Sequence, residues 1–200
     1  MAWAPDYVTL SEFKSFLRIT DSDDDAELAL AITTASRAVD GFCHRQFGQV
    51  AASEERSYTA YWDRRARVWV VMFDDLQDVT GLTVTVEAGA VDDYTLEPVN
   101  AAQQGRPFTQ LRVNTDSTAK PTTERHGVTI DGVWGWDAVP VPVEQATLLQ
   151  ASRFHARRFS PYGVAGSPEQ GSEMRLLAKL DPDVELALAR SKMIRWWAAV

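Results

Sequence analysis

The sequence predicts an α+β protein with a core of about four helices, drawn from both chain ends, and a large antiparallel β insertion. Near both ends, apolar residues recur at the spacing of amphipathic helices. In the middle, apolar and polar residues alternate, as they do in half-buried strands. We therefore expect an N-terminal helical half at residues 1–48, a β-rich insertion at 49–137, and a C-terminal helical half at 138–200 that completes the core.

The first helix is marked by Thr9, which is followed three residues later by Glu12. This is the capping-box pattern, in which each residue's side chain accepts a hydrogen bond from the other's backbone N–H. The apolar residues that follow lie at helical spacing: Leu10, Phe13, Phe16 and Leu17. The pattern predicts a short helix that ends near Ile19.

An acidic run follows at residues 21–25. It lacks the alternating ligands, the central Gly and the terminal Glu of a calcium-binding loop. We instead expect Asp21 or Ser22 to cap a second helix, from about Asp23 to about His44, with the acidic residues stabilised by the helix dipole. The expected buried stripe of this helix is Leu28, Ala31, Ile32, Ala35, Val39 and Phe42.

The middle of the chain alternates between period-two runs and turn-rich stretches. The strand candidates are residues 58–62, 68–72, 82–86, 94–96, 111–113 and 128–130. Short strands separated in this way predict an antiparallel meander or a small barrel.

Helical signals return after the strand region. Pro142 suits the first turn of a third helix, because its missing N–H would have no helical partner there, and this helix should reach about Phe159. A Gly- and Pro-containing loop is expected at 160–172. Asp181 before Pro182 predicts the cap of a last helix. That helix should contain Val184, Leu186 and Leu188, and should continue through residues 193–197.

The charge is acidic but uneven. The chain carries −8 overall, whereas the part from Gln150 onward has eight basic and five acidic residues, a net of +3, which leaves −11 for the first 149 residues. An acidic body argues against general nucleic-acid binding. A basic tail on such a body favours complementary docking surfaces.

The single cysteine, Cys43, excludes an internal disulfide and is expected to be a buried small hydrophobe in a reducing compartment. The sequence shows no signal peptide and no apolar stretch long enough to cross a membrane. We therefore expect synthesis in the cytoplasm.

No set of residues has the pattern of a catalytic, cofactor or metal site, so we expect none of these and no enzymatic activity. The histidines, His44, His126 and His155, are not at metal-ligand spacing. A phosphate loop and a nucleophile elbow are both absent from the sequence. The carboxylate pairs at 74–75 and 92–93 should point to opposite faces and mark turns.

Three surfaces of the C-terminal half are candidates for partner binding. Arg153 and Arg157 share a face of the third helix, although a solvated helix surface would show the same stripe. An aromatic pair lies on the Gly/Pro loop. Two adjacent Trp residues cannot both face one core stripe, so at least one should meet a partner or pack on the β insertion. The candidate residues are Arg153, Arg157, Arg158, Phe159, Tyr162, Arg195, Trp196 and Trp197.

The serial order of these segments resembles that of phage head–tail connector (head-to-tail adaptor) proteins from long-tailed double-stranded DNA phages. The resemblance covers most of the chain. It is carried by the opening helix at 9–19, the acidic cap, the helix that ends in an aromatic and basic segment at 39–47, and the segments 94–98, 128–136, 139–146, 157–166 and 181–184.

The resemblance implies a homo-oligomeric ring, commonly twelvefold, in the virion at the head–tail interface, made in the host cytoplasm. Such a ring joins the portal protein to the tail-side head-completion (stopper) protein, and DNA passes through its channel without specific binding. In such proteins the C-terminal part commonly reaches the portal, which implies this role for residues 153–159 and 195–197.

Other functions also fit the sequence. A stopper or tail terminator is another phage neck or tail assembly protein, but those proteins are more fully β. A DNA-binding module could use the C-terminal Arg face, and its affinity would then fall steeply with salt. An enzyme whose site is not visible in the sequence is the third alternative.

Overall fold

The computed structural model describes residues 4–157, 164–165, 174–175 and 181–193. Within these ranges it contains four α helices and two antiparallel four-stranded sheets, which confirms the predicted α+β class. The chain divides into two compact units. One is the helical unit, Pro5–Phe47 with Val139–Val200, and the other is the β unit, Met1–Ala4 with Gly48–Ala138.

The four helices are α1 (Leu10–Leu17), α2 (Asp25–Cys43), α3 (Val141–Arg157) and α4 (Pro182–Leu188). The predicted capping box of α1 is present. The Thr9 hydroxyl accepts a hydrogen bond from the Glu12 backbone N–H at 3.2 Å, and the Glu12 carboxylate accepts one from the Thr9 backbone N–H at 2.7 Å. The prediction for the cap of α2 was wrong, because Asp24 is the N-cap and Asp21 instead accepts from the backbone N–H of Asp23.

The first three helices share one apolar core. Its buried residues come from the segment before α1 and from α1, α2 and α3: Val8, Phe13, Leu28, Ala31, Ile32, Ala35, Leu148 and Ala151. Tyr7 is buried near the end of α2, where its ring packs edge-on against Phe47 and its hydroxyl binds the carboxylate of Asp40. Burial raises the pKa of the Tyr7 hydroxyl, and its hydrogen bond to Asp40 raises it further.

The C-terminal helix is shorter than predicted. Asp181 is its N-cap, as expected, but α4 ends at Leu188 and Leu186 is 78% exposed. Met193 is not helical, and its backbone N–H donates to the Cys43 carbonyl at 2.9 Å. Cys43 is buried, as predicted. Val164–Ala165 (β9), within the predicted loop at 160–172, pairs antiparallel with Met174–Arg175 (β10), which follow that loop.

The β unit contains eight strands in two sheets. The strands are β1 (Glu54–Tyr58), β2 (Ala60–Asp63), β3 (Val68–Leu76), β4 (Asp78–Val86), β5 (Gly89–Ala90), β6 (Tyr94–Glu97), β7 (Phe108–Val113) and β8 (Val128–Val133). The sheet orders are β1-β8-β4-β5 and β2-β3-β7-β6, so the strands are antiparallel, as predicted, but form two separate sheets and neither a meander nor a single closed barrel. Both sheets bury side chains in one shared core around Trp134.

The predicted strand at 58–62 is in fact two strands that belong to different sheets. Tyr58 pairs with Val128 in one sheet, and Ala60 pairs with Val71 in the other. Only Thr59 separates them, and its hydroxyl accepts a hydrogen bond from the backbone N–H of His126 at 2.9 Å. Both flanking side chains still contribute to the shared core.

The entry and exit of the β unit are hydrogen-bonded neighbours. The backbone N–H of Trp136 donates to the carbonyl of Gly48 at 3.0 Å, and that of Val50 donates to the carbonyl of Trp134 at 2.9 Å. Gly135 lies between these bonds with φ +114°, and a Cβ there would lie 2.0 Å from the Gly48 oxygen. The close approach therefore requires glycine at this position.

Candidate partner-binding surfaces

The two arginines predicted on one face of α3 have different surroundings: Arg153 makes a contact within the protein, and the side chain of Arg157 is exposed. Arg153 is only 18% exposed, and its guanidinium lies 3.4 Å from a carboxylate oxygen of Asp181. Asp181 also caps α4 by accepting from the backbone N–H of Asp183 at 2.9 Å. Arg153 therefore holds the start of α4 against α3, whereas Arg157 is exposed in the last turn of α3.

The other predicted partner-binding residues lie outside the described residues: Arg158, Phe159, Tyr162, Arg195, Trp196 and Trp197. The internal role of Arg153 makes the α3 face less suited to nucleic acid, because a phosphate would compete with Asp181 for this guanidinium.

The first third of α2 and the segment before it carry exposed acidic residues and an exposed leucine. Asp21 and Asp23 are exposed before the helix, and Glu27 is exposed in its first turn. Leu30 is 67% exposed and lies on the side of α2 away from the buried stripe. It borders a concavity of about 460 Å³, which is lined by Glu27, Leu30, Ala31, Thr34, Phe154 and His155. We call Asp21, Asp23, Glu27 and Leu30 the acidic-leucine face.

The hairpin between β2 and β3 forms a second surface, which was not among the predicted partner-binding sites. Tyr61 is 49% exposed and Trp62 is 42% exposed. The turn that follows carries three exposed arginines: Arg64, Arg65 and Arg67. We call residues 61–67 the arginine hairpin. In the sequence, this surface was indicated by a cluster of arginines between two strand candidates.

The turn of the arginine hairpin is held by Asp63. Its carboxylate accepts from the backbone N–H groups of Arg65 at 2.8 Å and Ala66 at 3.0 Å, and its carbonyl accepts from the backbone N–H of Arg67 at 2.7 Å. The hydrogen bonds from Ala66 and Arg65 lower the pKa of the Asp63 carboxyl. The three arginine side chains are therefore presented from an ordered turn.

The carboxylate pair at 74–75 was predicted to mark a turn, and this prediction was wrong. Asp74 and Asp75 lie within β3 rather than in a turn. Asp74 binds Arg56 at 3.0 Å and the Tyr58 hydroxyl at 3.1 Å, whereas Asp75 is buried and accepts from the indole of Trp136 at 2.8 Å. They point to opposite faces, as expected, and both have structural hydrogen bonds.

The described part of the chain contains no cluster of three or more His, Cys, Asp or Glu side chains that could hold a metal ion. His44 ends α2 in the left-handed conformation, and His126 has a left-handed φ as well. Among the same residues, no helix is long and apolar enough to span a membrane. The features that stand out are surfaces suited to protein contacts.

The fold is therefore a helical unit with a β insertion, and its described surfaces combine charged with apolar residues. Residues 7–61, which span α1, α2, β1 and the start of β2, match the family model of phage gp6-like head-tail connector proteins. This match bears out the predicted resemblance over the N-terminal segments, and the segments of the resemblance after residue 61 lie outside it.

The fold is also similar to solved chains from phage-like particles. A chain from the neck of an empty GTA (gene transfer agent) particle, computed with C6 symmetry, is 19% identical with a TM-score of 0.56, and the match covers 98% of this chain and 94% of that one. A chain from the neck of a native GTA particle, computed with C12 symmetry, is 20% identical with a TM-score of 0.53 and the same coverage. These likenesses show the fold. No curated protein matches the chain in sequence.

Proposed function

We propose that this chain is a structural head-to-tail adaptor, located in the virion at the head–tail interface of a phage-like particle and made in the host cytoplasm. The observation that carries the proposal is the match of residues 7–61 to the head-tail connector family. The agreement of the fold with neck chains over 98% of the sequence supports it.

In this proposal the chain forms a homo-oligomeric ring, with the portal protein on one side and a tail-side head-completion protein on the other. The C12 symmetry of one neck that contains a similar chain supports twelve copies. The helical unit forms the core of each subunit and the β unit is an insertion. DNA passes through the channel without specific binding, which suits a net charge of −8 because like charges repel.

The portal contact is proposed for the C-terminal half, through Arg157 and the predicted residues outside the described ranges. The structure describes two of the predicted partner-binding residues, Arg153 and Arg157, and of these Arg157 has the exposed side chain. Arg153 supports the surface indirectly, because its ion pair with Asp181 orders the start of α4.

The test combines purified full-length chain with the portal protein of the same particle and images the mixture by negative stain. We expect twelvefold averages in which extra density covers one face of the portal ring. A chain that stays separate from intact portal rings across a range of protein and salt concentrations would overturn the adaptor function.

A matched pair of variants tests the portal contact. Arg157→Glu should weaken portal binding at least about tenfold, because reversing a charge at an interface costs more than about 1.4 kcal/mol. Arg190→Glu makes the same change at another exposed position of the helical unit and should bind normally. Equal binding by the two variants would exclude Arg157 from the contact.

A further inference from the structure

The arginine hairpin has the composition of a protein-binding hot spot. Trp, Tyr and Arg are the residues most enriched at the energetic centres of interfaces. All three types are exposed here within residues 61–67, on the hairpin of an edge strand. Trp62 is also held in place, since its ring packs against Trp69 with centroids 5.3 Å apart. A preorganised side chain loses less conformational entropy on binding.

The charge of the hairpin is opposite to that of the protein as a whole. Residues 61–67 contain three arginines and one aspartate, whereas the chain carries −8. A basic, aromatic projection on an acidic protein is complementary to the surface of another copy of the same protein.

The acidic-leucine face offers the matching chemistry. Residues 21–30 contain five acidic residues and no basic residue. Asp21 and Asp23 are exposed at one end, and Leu30 is 67% exposed beside the concavity that Phe154 and His155 also line. Carboxylates can accept from the planar guanidinium groups of Arg64 and Arg65, while Leu30 provides apolar area for Trp62.

We propose that the arginine hairpin of one copy docks on the acidic-leucine face of the next copy. The contact is heterologous, since two different patches meet, and a repeated heterologous contact forms a ring when the rotation between successive copies closes. This inference rests on the proposed ring function and names the surfaces that build the ring. A protein partner is favoured over DNA because Tyr61, Trp62 and the arginines match an acidic patch with an exposed leucine on this same chain.

The test uses two complementary variants of the full chain. The hairpin variant carries Arg64→Glu and Arg65→Glu, and the face variant carries Asp21→Lys and Asp23→Lys. Each alone should need at least about a tenfold higher concentration to form rings, because like charges then meet at every interface. A matched control, Arg106→Glu with Arg125→Glu, reverses two exposed arginines elsewhere in the β unit and should assemble normally.

Mixing the two variants in equal amounts should restore assembly. In the mixture, an acidic hairpin meets a basic face and a basic hairpin meets an acidic face, so rings form with the two variants alternating. Combining all four substitutions in one chain should also restore rings. Circular dichroism of each variant checks that the fold is retained.

The outcomes separate this inference from the proposed function. If the wild type forms portal-bound rings and the hairpin variant does so equally well, the inference is overturned and the adaptor function stands. If the two variants associate in sedimentation experiments while the wild type never binds portal, the adaptor function fails and the contact stands. If the hairpin variant loses only the retention of a short DNA duplex at low salt, the hairpin binds DNA and the inference is overturned.

Discussion

Trp136 donates its indole N–H to a carboxylate oxygen of Asp75 at 2.8 Å, and both side chains are buried within the β unit. Asp75 lies in β3 and Trp136 follows β8, so the bond joins segments of the two sheets. The backbone reinforces this junction, because the N–H of Gly135 donates to the carbonyl of Asp75 at 2.7 Å.

Replacing Trp136 with Phe should lower the free energy of unfolding by about 2 kcal/mol. A buried acceptor that loses its donor costs about 1–3 kcal/mol, and Asp75 would lose the indole N–H. Asp75→Asn keeps an acceptor oxygen and should cost less. Urea denaturation measures both changes, and a neutral Trp136→Phe variant would contradict this role of the bond.

Gly135→Ala should destabilise the β unit by about 3 kcal/mol or more. The added Cβ would meet the backbone of Gly48 and Gln49, and it would also occupy a φ that L residues rarely adopt. Gly105→Ala is the matched control, because Gly105 has φ +61° with no atom within 4 Å of the added Cβ. It should cost only about 1 kcal/mol. Equal losses in thermal or urea unfolding would show that the close approach is unimportant.

Asp181→Ala should lower stability by about 1–2 kcal/mol. It removes the N-cap of α4, which contributes about 1 kcal/mol, and a partly exposed ion pair with Arg153, which contributes less. Asp183→Ala, also in the first turn, leaves the capping side chain intact and should have a smaller effect. A double-mutant cycle between Arg153→Ala and Asp181→Ala should show coupling, and strict additivity would mean that the pair contributes nothing.

Asp92 should titrate with a pKa of about 2, below its ordinary value of 3.8. Its carboxylate accepts from the backbone N–H and hydroxyl of Thr118 and from the hydroxyl of Ser117, in that order of importance. Because the folded pKa is lowered, its contribution to stability is complete above pH 3.8 and is lost as the pH falls through about 2.

A Thr118→Val variant tests this explanation by carboxyl NMR titration. The variant keeps the backbone N–H, which is the largest cause, and loses the hydroxyl. The pKa of Asp92 should therefore rise only part of the way to 3.8. A wild-type midpoint at 3.8 would show that these hydrogen bonds do not lower the pKa of Asp92.

The helices were largely predictable from the sequence because their signals are local. The Thr9–Glu12 capping box, the stripe of α2 and the Asp181 cap each involve residues only a few positions apart. The change of sheet at Thr59 was not predictable in this way. Period-two alternation continues unbroken from Tyr58 to Trp62, and strand pairing with distant segments determines which sheet each half joins.

The candidate surfaces show the same limit. Arg153 and Arg157 have the same chemistry and the same helical face, yet Arg153 is largely buried by an ion pair with a residue 28 positions later. The arginines of the hairpin were visible in the sequence, but their prominence depends on β2 lying at the edge of its sheet. Exposure that is set by distant pairing cannot be derived from local spacing.

The hydrogen bond that joins Trp136 to Gly48 has a consequence for how this chain can change over evolutionary time. The chain enters and leaves the β unit at adjacent points. The about ninety residues between these points can therefore be gained, lost or exchanged without changing the distance between the two ends of the helical unit that they connect. The β unit is thus connected to the rest of the chain as an insertion that can be replaced as a whole. We expect a short glycine linker across the junction to leave a helical scaffold that still folds.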